Sequence, residues 1–122
     1  MKKITLALMG LALASSAAMA EDCVTPDAPA ALPDGGTSSM EQMLEGQKTV
    51  KTFQAANLEY MKCLEPQIEA ASAAATADDA SDEAKASLKS LEESYNAAVS
   101  QEEELAGQFN TEIREYKAAN PQ

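Results

Sequence analysis

Two long runs of this chain place apolar residues at alternating steps of three and four, and that spacing leaves few folds open. In the first run Met43, Val50, Asn57 and Leu64 share one heptad position, and Gly46, Phe53 and Tyr60 share the complementary one. In the second, Leu88, Leu91, Tyr95, Ala98, Glu102, Leu105, Phe109, Glu112 and Tyr116 follow the same rule, with Val99, Ala106 and Ile113 widening the stripe on one flank. So narrow a stripe is buried only against a second helix that carries its counterpart. The spacing predicts an all-α chain, two long helices packed antiparallel as a coiled-coil-like hairpin.

Local signals set the boundaries. Ser38-Ser39-Met40-Glu41 reads as a capping box, with Ser38 as N-cap and Glu41 closing it. Pro66 cannot donate to the Lys62 carbonyl, so a kinked or restarted helix is expected there, carried on by the Ala-rich stretch 70–77. Residues 76–81 form the tip. Asp79 or Ser81 caps the second helix, and Asp82 and Glu83 suit its positive end. The hairpin spans 38–119, its second helix running to about Ala118, and Asn120-Pro121 opens a short tail, 120–122. A tip at 78–79 sets Phe53 near Leu105, Tyr60 near Ala98, and Asn57 against Glu102. That polar pair is expected to fix the register.

Residues 1–20 read as a cleaved leader. Met1-Lys2-Lys3 is its basic start, Ile4 to about Ala14 its apolar stretch, and Ala18-Met19-Ala20 its cleavage pattern, with Glu21 the first mature residue. The apolar stretch is too short for a membrane anchor. Loss of Lys2 and Lys3 takes the side-chain charge from −11 to −13. The expected destination is the periplasm of a Gram-negative bacterium, or the exterior.

Cys23 and Cys63 are the only cysteines. An even pair in an exported chain reads as a structural disulfide, and no C-x-x-C is present to make it redox-active. Closing a loop of this length stabilises a fold by about 4 kcal/mol in the chain-entropy model. Between the leader and the first helix, residues 21–37 hold Pro26, Pro29 and Pro33, which favour an extended polyproline course, and then an Asp34-Gly35-Gly36 turn. Fifteen extended residues reach about 50 Å, and Cys63 lies about 37 Å along the first helix. The arm therefore doubles back to Cys63, and Val24 and Leu32 are expected to fill the groove beside Val99 and Ile113.

Composition removes most chemistry. The chain has no His and no Trp. That excludes Ser-His-Asp and Cys-His machinery and His-containing zinc sites, and two cysteines cannot form an all-thiolate centre. No nucleophile-elbow, dinucleotide or phosphate-loop motif occurs. Twenty acidic against nine basic residues disfavour nucleic acid. Asp78, Asp79, Asp82 and Glu83 are a weak candidate Ca2+ cluster at the tip, without the ligand spacing of an EF-hand. Met40 and Met43 read as packing residues in preference to a Cu(I) site. Glu102-Glu103-Glu104 points in three directions on a helix, so it is no catalytic carboxylate pair. No cofactor is expected.

The quoted motifs bring a resemblance. Cys23, Pro33-Asp34-Gly35, Tyr60-Met61-Lys62-Cys63-Leu64, Tyr95-Asn96-Ala97-Ala98-Val99 and Phe109-Asn110-Thr111-Glu112-Ile113-Arg114-Glu115-Tyr116-Lys117 resemble a group of small exported proteins of Gram-negative proteobacteria. The resemblance covers nearly the whole mature chain. It implies export and the paired cysteines, and no activity.

The function expected is non-enzymatic: an acidic helical rod that binds another protein or a cell-envelope component. A small chaperone-like client holder and an acidic cation-binding protein are the alternatives. Seam residues used within the hairpin favour a monomer, and a domain-swapped dimer is the other arrangement the same heptads permit.

Overall fold

The computed structural model describes residues 22–122. The leader, 1–20, and its cleavage point at Ala20–Glu21 lie outside the described residues. Two helices account for the ordered elements, α1 (Met40–Ala75) and α2 (Asp82–Ala119). At 36 and 38 residues they are about 54 and 57 Å long. They pack antiparallel, joined by the tip at 76–81 where the sequence places it. Among the described residues there is no strand.

The first cap differs by one residue from the expected one. Ser39, not Ser38, is the N-cap of α1. Its hydroxyl accepts from the Gln42 backbone N–H at 3.2 Å, and the Gln42 side chain accepts from the Ser39 N–H at 2.8 Å. The turn before it decides this. The Asp34 carbonyl accepts from both Thr37 and Ser38, at 3.2 and 2.8 Å, so the Ser38 N–H is already spent. Gln42 then closes the box as well as Glu41 would have done. α2 starts on Ser81, whose hydroxyl accepts from the Ala84 N–H at 3.1 Å.

Of the two courses expected at Pro66, a kinked helix or a restarted one, the restart does not occur: α1 continues as one helix through the proline. Pro66 and Lys62 both lie on the exposed side, so the missing backbone bond falls where water can replace it. Ala-rich sequence beyond the proline then carries the helix on to Ala75.

The core consists of two apolar clusters on either side of one polar residue. Met43, Val50, Phe53, Leu105 and Phe109 form the cluster nearer the open end of the hairpin, with Leu32, Ile113 and Tyr116 packed around it. Tyr60, Met61, Leu64 and Ala98 form the other, bordered by Cys23, Leu91, Tyr95 and Val99. Asn57 sits between them, fully buried. No residue from 65 to 97 is buried. There the helices are joined by half-buried side chains such as Ile68 and Tyr95, which line a cleft of about 780 Å³.

The arm doubles back along the hairpin and is held at both ends. Cys23 is disulfide-bonded to Cys63, with Cα atoms 5.7 Å apart. Between the ends, Cys23, Pro26, Pro29 and Leu32 are half-buried, and the residues between them are exposed. Inward contact at every third residue is the period of a polyproline helix. This period corrects one expectation. Val24 does not fill the groove; it is 81% exposed, because it lies a third of a turn from the inward face. Leu32, on that face, does pack against the core.

At its far end the arm docks through two glycines. Gly46, a gap in the α1 seam, is the seat of Pro33: a Cβ there would lie 2.6 Å from the Pro33 Cγ and 3.2 Å from a Phe109 ring carbon. Gly35 lies directly on the α2 backbone, where an added Cβ would overlap the Glu112 carbonyl. The Gly35 N–H donates to the Glu112 carboxylate at 2.7 Å.

Two predictions follow from these anchors. Cys63→Ser removes a link worth about 4 kcal/mol, so the melting temperature should fall by about 15 °C or more, with residues 22–37 becoming the first site of proteolysis. Gly35→Ala should destabilise by about 1–3 kcal/mol in urea denaturation, since backbone cannot yield. Gly36→Ala meets only the flexible Asp34 carboxylate, at 3.2 Å, and should cost markedly less.

Candidate functional site

The expected polar pair does meet. The Asn57 Nδ2 donates to the Ala98 carbonyl at 2.9 Å and approaches the Glu102 carboxylate at 3.4 Å. The first contact is the shorter and is to α2 backbone, so Asn57 holds a main-chain position as well as a side chain. Its Oδ1 is buried without a hydrogen-bond partner among the described residues. Burying an amide in this way costs stability, and such a residue favours the one register in which its donor is satisfied. Glu102 is half-buried, turned to the seam, while Glu103 and Glu104 are exposed.

The carboxylates at the tip remain apart. Asp78, Asp79, Asp82 and Glu83 are all exposed on the turn and first turn of α2. The structure instead gathers Asp34, Glu112 and Glu115, whose oxygens lie within 4.8 Å of one another. The arm turn brings Asp34 to α2, where Glu112 and Glu115 are neighbours three residues apart. Repulsion from Glu112 is the main cause that raises the Glu115 carboxyl above its ordinary value of 4.5, and Asp34 adds to it. An acid raised in the folded state disfavours folding at neutral pH, and that effect eases as the pH falls.

The face of α1 turned away from the core carries apolar residues outside the seam. Met40, Leu44 and Leu58 are 53, 57 and 48% exposed. With Gln47, Lys51 and Ala55 they recur at steps of three and four, so they form a second stripe on α1, about 27 Å long, well round the helix from the buried seam. Two adjoining hollows of about 510 and 430 Å³ share Leu44 and Gln47. The larger reaches across to Ile113, Tyr116 and Lys117 of α2. The heptad spacing of this stripe was available in the sequence. The buried seam drew attention because its aromatic and branched residues dominate.

Met43 is buried in the core while Met40, one turn earlier, contributes to this open surface. Among the described residues, no helix is long and apolar enough to cross a membrane. No family model, curated protein or solved structure matches the chain.

The Asn57 layer can be tested by a double-mutant cycle. Asn57→Leu and Glu102→Leu, singly and together, should show a coupling of at least about 0.5 kcal/mol in denaturant unfolding; additive effects would mean that the two residues act independently.

Proposed function

We propose that this protein is an exported, non-enzymatic interaction module, a disulfide-strapped helical rod acting in the periplasm or outside the cell. The observation that carries the reading is the exposed stripe on α1. Met40, Leu44 and Leu58 stand about half open to solvent on one face, in a chain that has buried its seam elsewhere. Met40 and Leu44, one turn apart, open onto the hollow that reaches Ile113 and Tyr116, and an exposed apolar patch of this kind marks a binding surface. The Cys23–Cys63 bridge supports an oxidising destination, since such bonds persist chiefly outside the cytosol. The leader read at residues 1–20 supports it independently. A narrow stripe along a single helix favours one defined partner over a range of unfolded clients, which need a broad apolar surface.

The test is site-specific photocrosslinking in the native cell envelope. A crosslinker at Gln47, on the stripe, should give one discrete protein adduct. A heterogeneous ladder of adducts would point to a client holder. No adduct from Gln47 or from a panel of other exposed positions would remove the interaction reading.

A further inference from the structure

The partner chemistry can be read from the charges on and around the stripe. Lys48 and Lys51 lie at its middle, and Lys117 closes the larger hollow from α2. Not one of the residues lining either hollow is acidic. In a chain with 20 carboxylates against nine cations, that separation is marked. Among the described residues only Lys62 and Lys89 make ion pairs, with Glu59 and Glu93 on their own helices, so these three lysines, like Lys85 and Arg114, are not neutralised by a salt bridge. Glu41 and Glu59 border the stripe at its two ends and Glu45 flanks Lys48 on the arm side, so the hollow lined by Lys48 and Lys51 is the part of the stripe without an acidic lining residue.

We propose that this stripe docks an amphipathic helix of another protein, one with an apolar seam and acidic flanks. The inference rests on the interaction reading above and names the surface and the partner. Residues at heptad spacing over about 27 Å match the side-chain rows of a helix laid alongside α1. Its apolar residues would cover Met40, Leu44, Ala55 and Leu58, and its carboxylates would meet Lys48, Lys51 and Lys117.

The charges also argue against two other occupants. Pairing two copies about a twofold axis, with Met40 and Leu44 of each against Leu58 and Ala55 of the other, gathers Lys48 and Lys51 of both copies at the centre. Four like charges there oppose the dimer. Anionic lipid needs a broad basic surface, whereas the lysines here occupy one narrow stripe on a chain of net charge −11.

The probe is a designed helical peptide of about three heptads, with leucine in its seam and glutamate on its flanks, compared with a twin carrying lysine on the flanks. Fluorescence anisotropy follows binding to the disulfide-intact mature protein. The glutamate peptide should bind at least about tenfold more tightly than its twin, and about 0.5 M salt should narrow the gap. Lys48→Glu with Lys51→Glu should reverse the preference, and Leu44→Ser should weaken both peptides. These are surface positions, and an unchanged helical circular dichroism signal and melting temperature will show that the variants fold. Equal binding of the two peptides, or binding of neither at about 1 mM, overturns the proposal. So does a dimer in sedimentation that Leu44→Ser dissociates, or capture by anionic vesicles through the same residues. Photocrosslinking separates this failure from that of the broader reading. A partner captured at Glu103 but not at Gln47 sinks the acidic-helix proposal alone, whereas no partner at any position sinks both.

Discussion

Two helices in contact leave a groove on each side of their seam, and two helices alone cannot fill either. The Cys23–Cys63 bond answers this for one side. It fixes the start of the arm beside Tyr60 and Leu64, and the chain must then return along the hairpin to reach Met40. A polyproline course suits the distance: it rises about 3.1 Å per residue against about 1.5 Å for the helix beside it. Ten residues from Cys23 to Pro33 can therefore span about 31 Å, enough to cover about 26 Å of helix from Cys63 back to Gly46. Leu32 and Pro33 arrive where Phe109 and the bare backbone of Gly46 can receive them. The bridge, the proline spacing and the glycine are three parts of one constraint.

Asn57 meets a different requirement. Two apolar seams of similar residues can slide by a heptad with little penalty, and a long hairpin is exposed to that error. A buried amide penalises every register in which its hydrogen is unpaired. Here its donor reaches the Ala98 carbonyl beside the smallest side chain of the α2 seam, where the helices can approach closely. The price is the unpartnered Oδ1. The polar layer thus separates two cores, and the tip beyond them is free to be looser.

Much of this architecture was legible because period and turn chemistry agree along the chain. The steps of three and four identified both helices, the choice of Asp79 or Ser81 as cap bracketed the restart that Ser81 makes, and the polar pair placed Asn57 and Glu102 in one layer of the seam. The misreadings share a cause: each depended on where a backbone group goes in space. The Ser38 N–H is consumed by a carbonyl four residues back, which a pattern of caps does not reveal. Apolarity alone favours Val24 for the inward face, whereas the three-residue period of the arm selects Pro26 in its place. Gly46 looked like a defect of the seam until the arm arrived to fill it. The Asp34, Glu112 and Glu115 group was illegible for the same reason, since its members come from elements that meet only in the folded chain.

The distribution of packing bears on how the exposed α1 stripe would work. All the buried side chains lie outside residues 65–97, so the part of the rod that carries residues 40–58 is also the part backed by both clusters and by the arm. Local opening is drawn from regions with few buried contacts, which here means the tip. A face on the well-packed end would be ordered before any partner arrived, and the proposed association would avoid the entropy of ordering it. Reducing the bridge would weaken that advantage without touching one stripe residue, because Leu32 and Pro33 support Phe53, Phe109 and Gly46 from the opposite side of the seam. In this fold the covalent strap and the exposed α1 stripe thus lie on either side of a single layer of core.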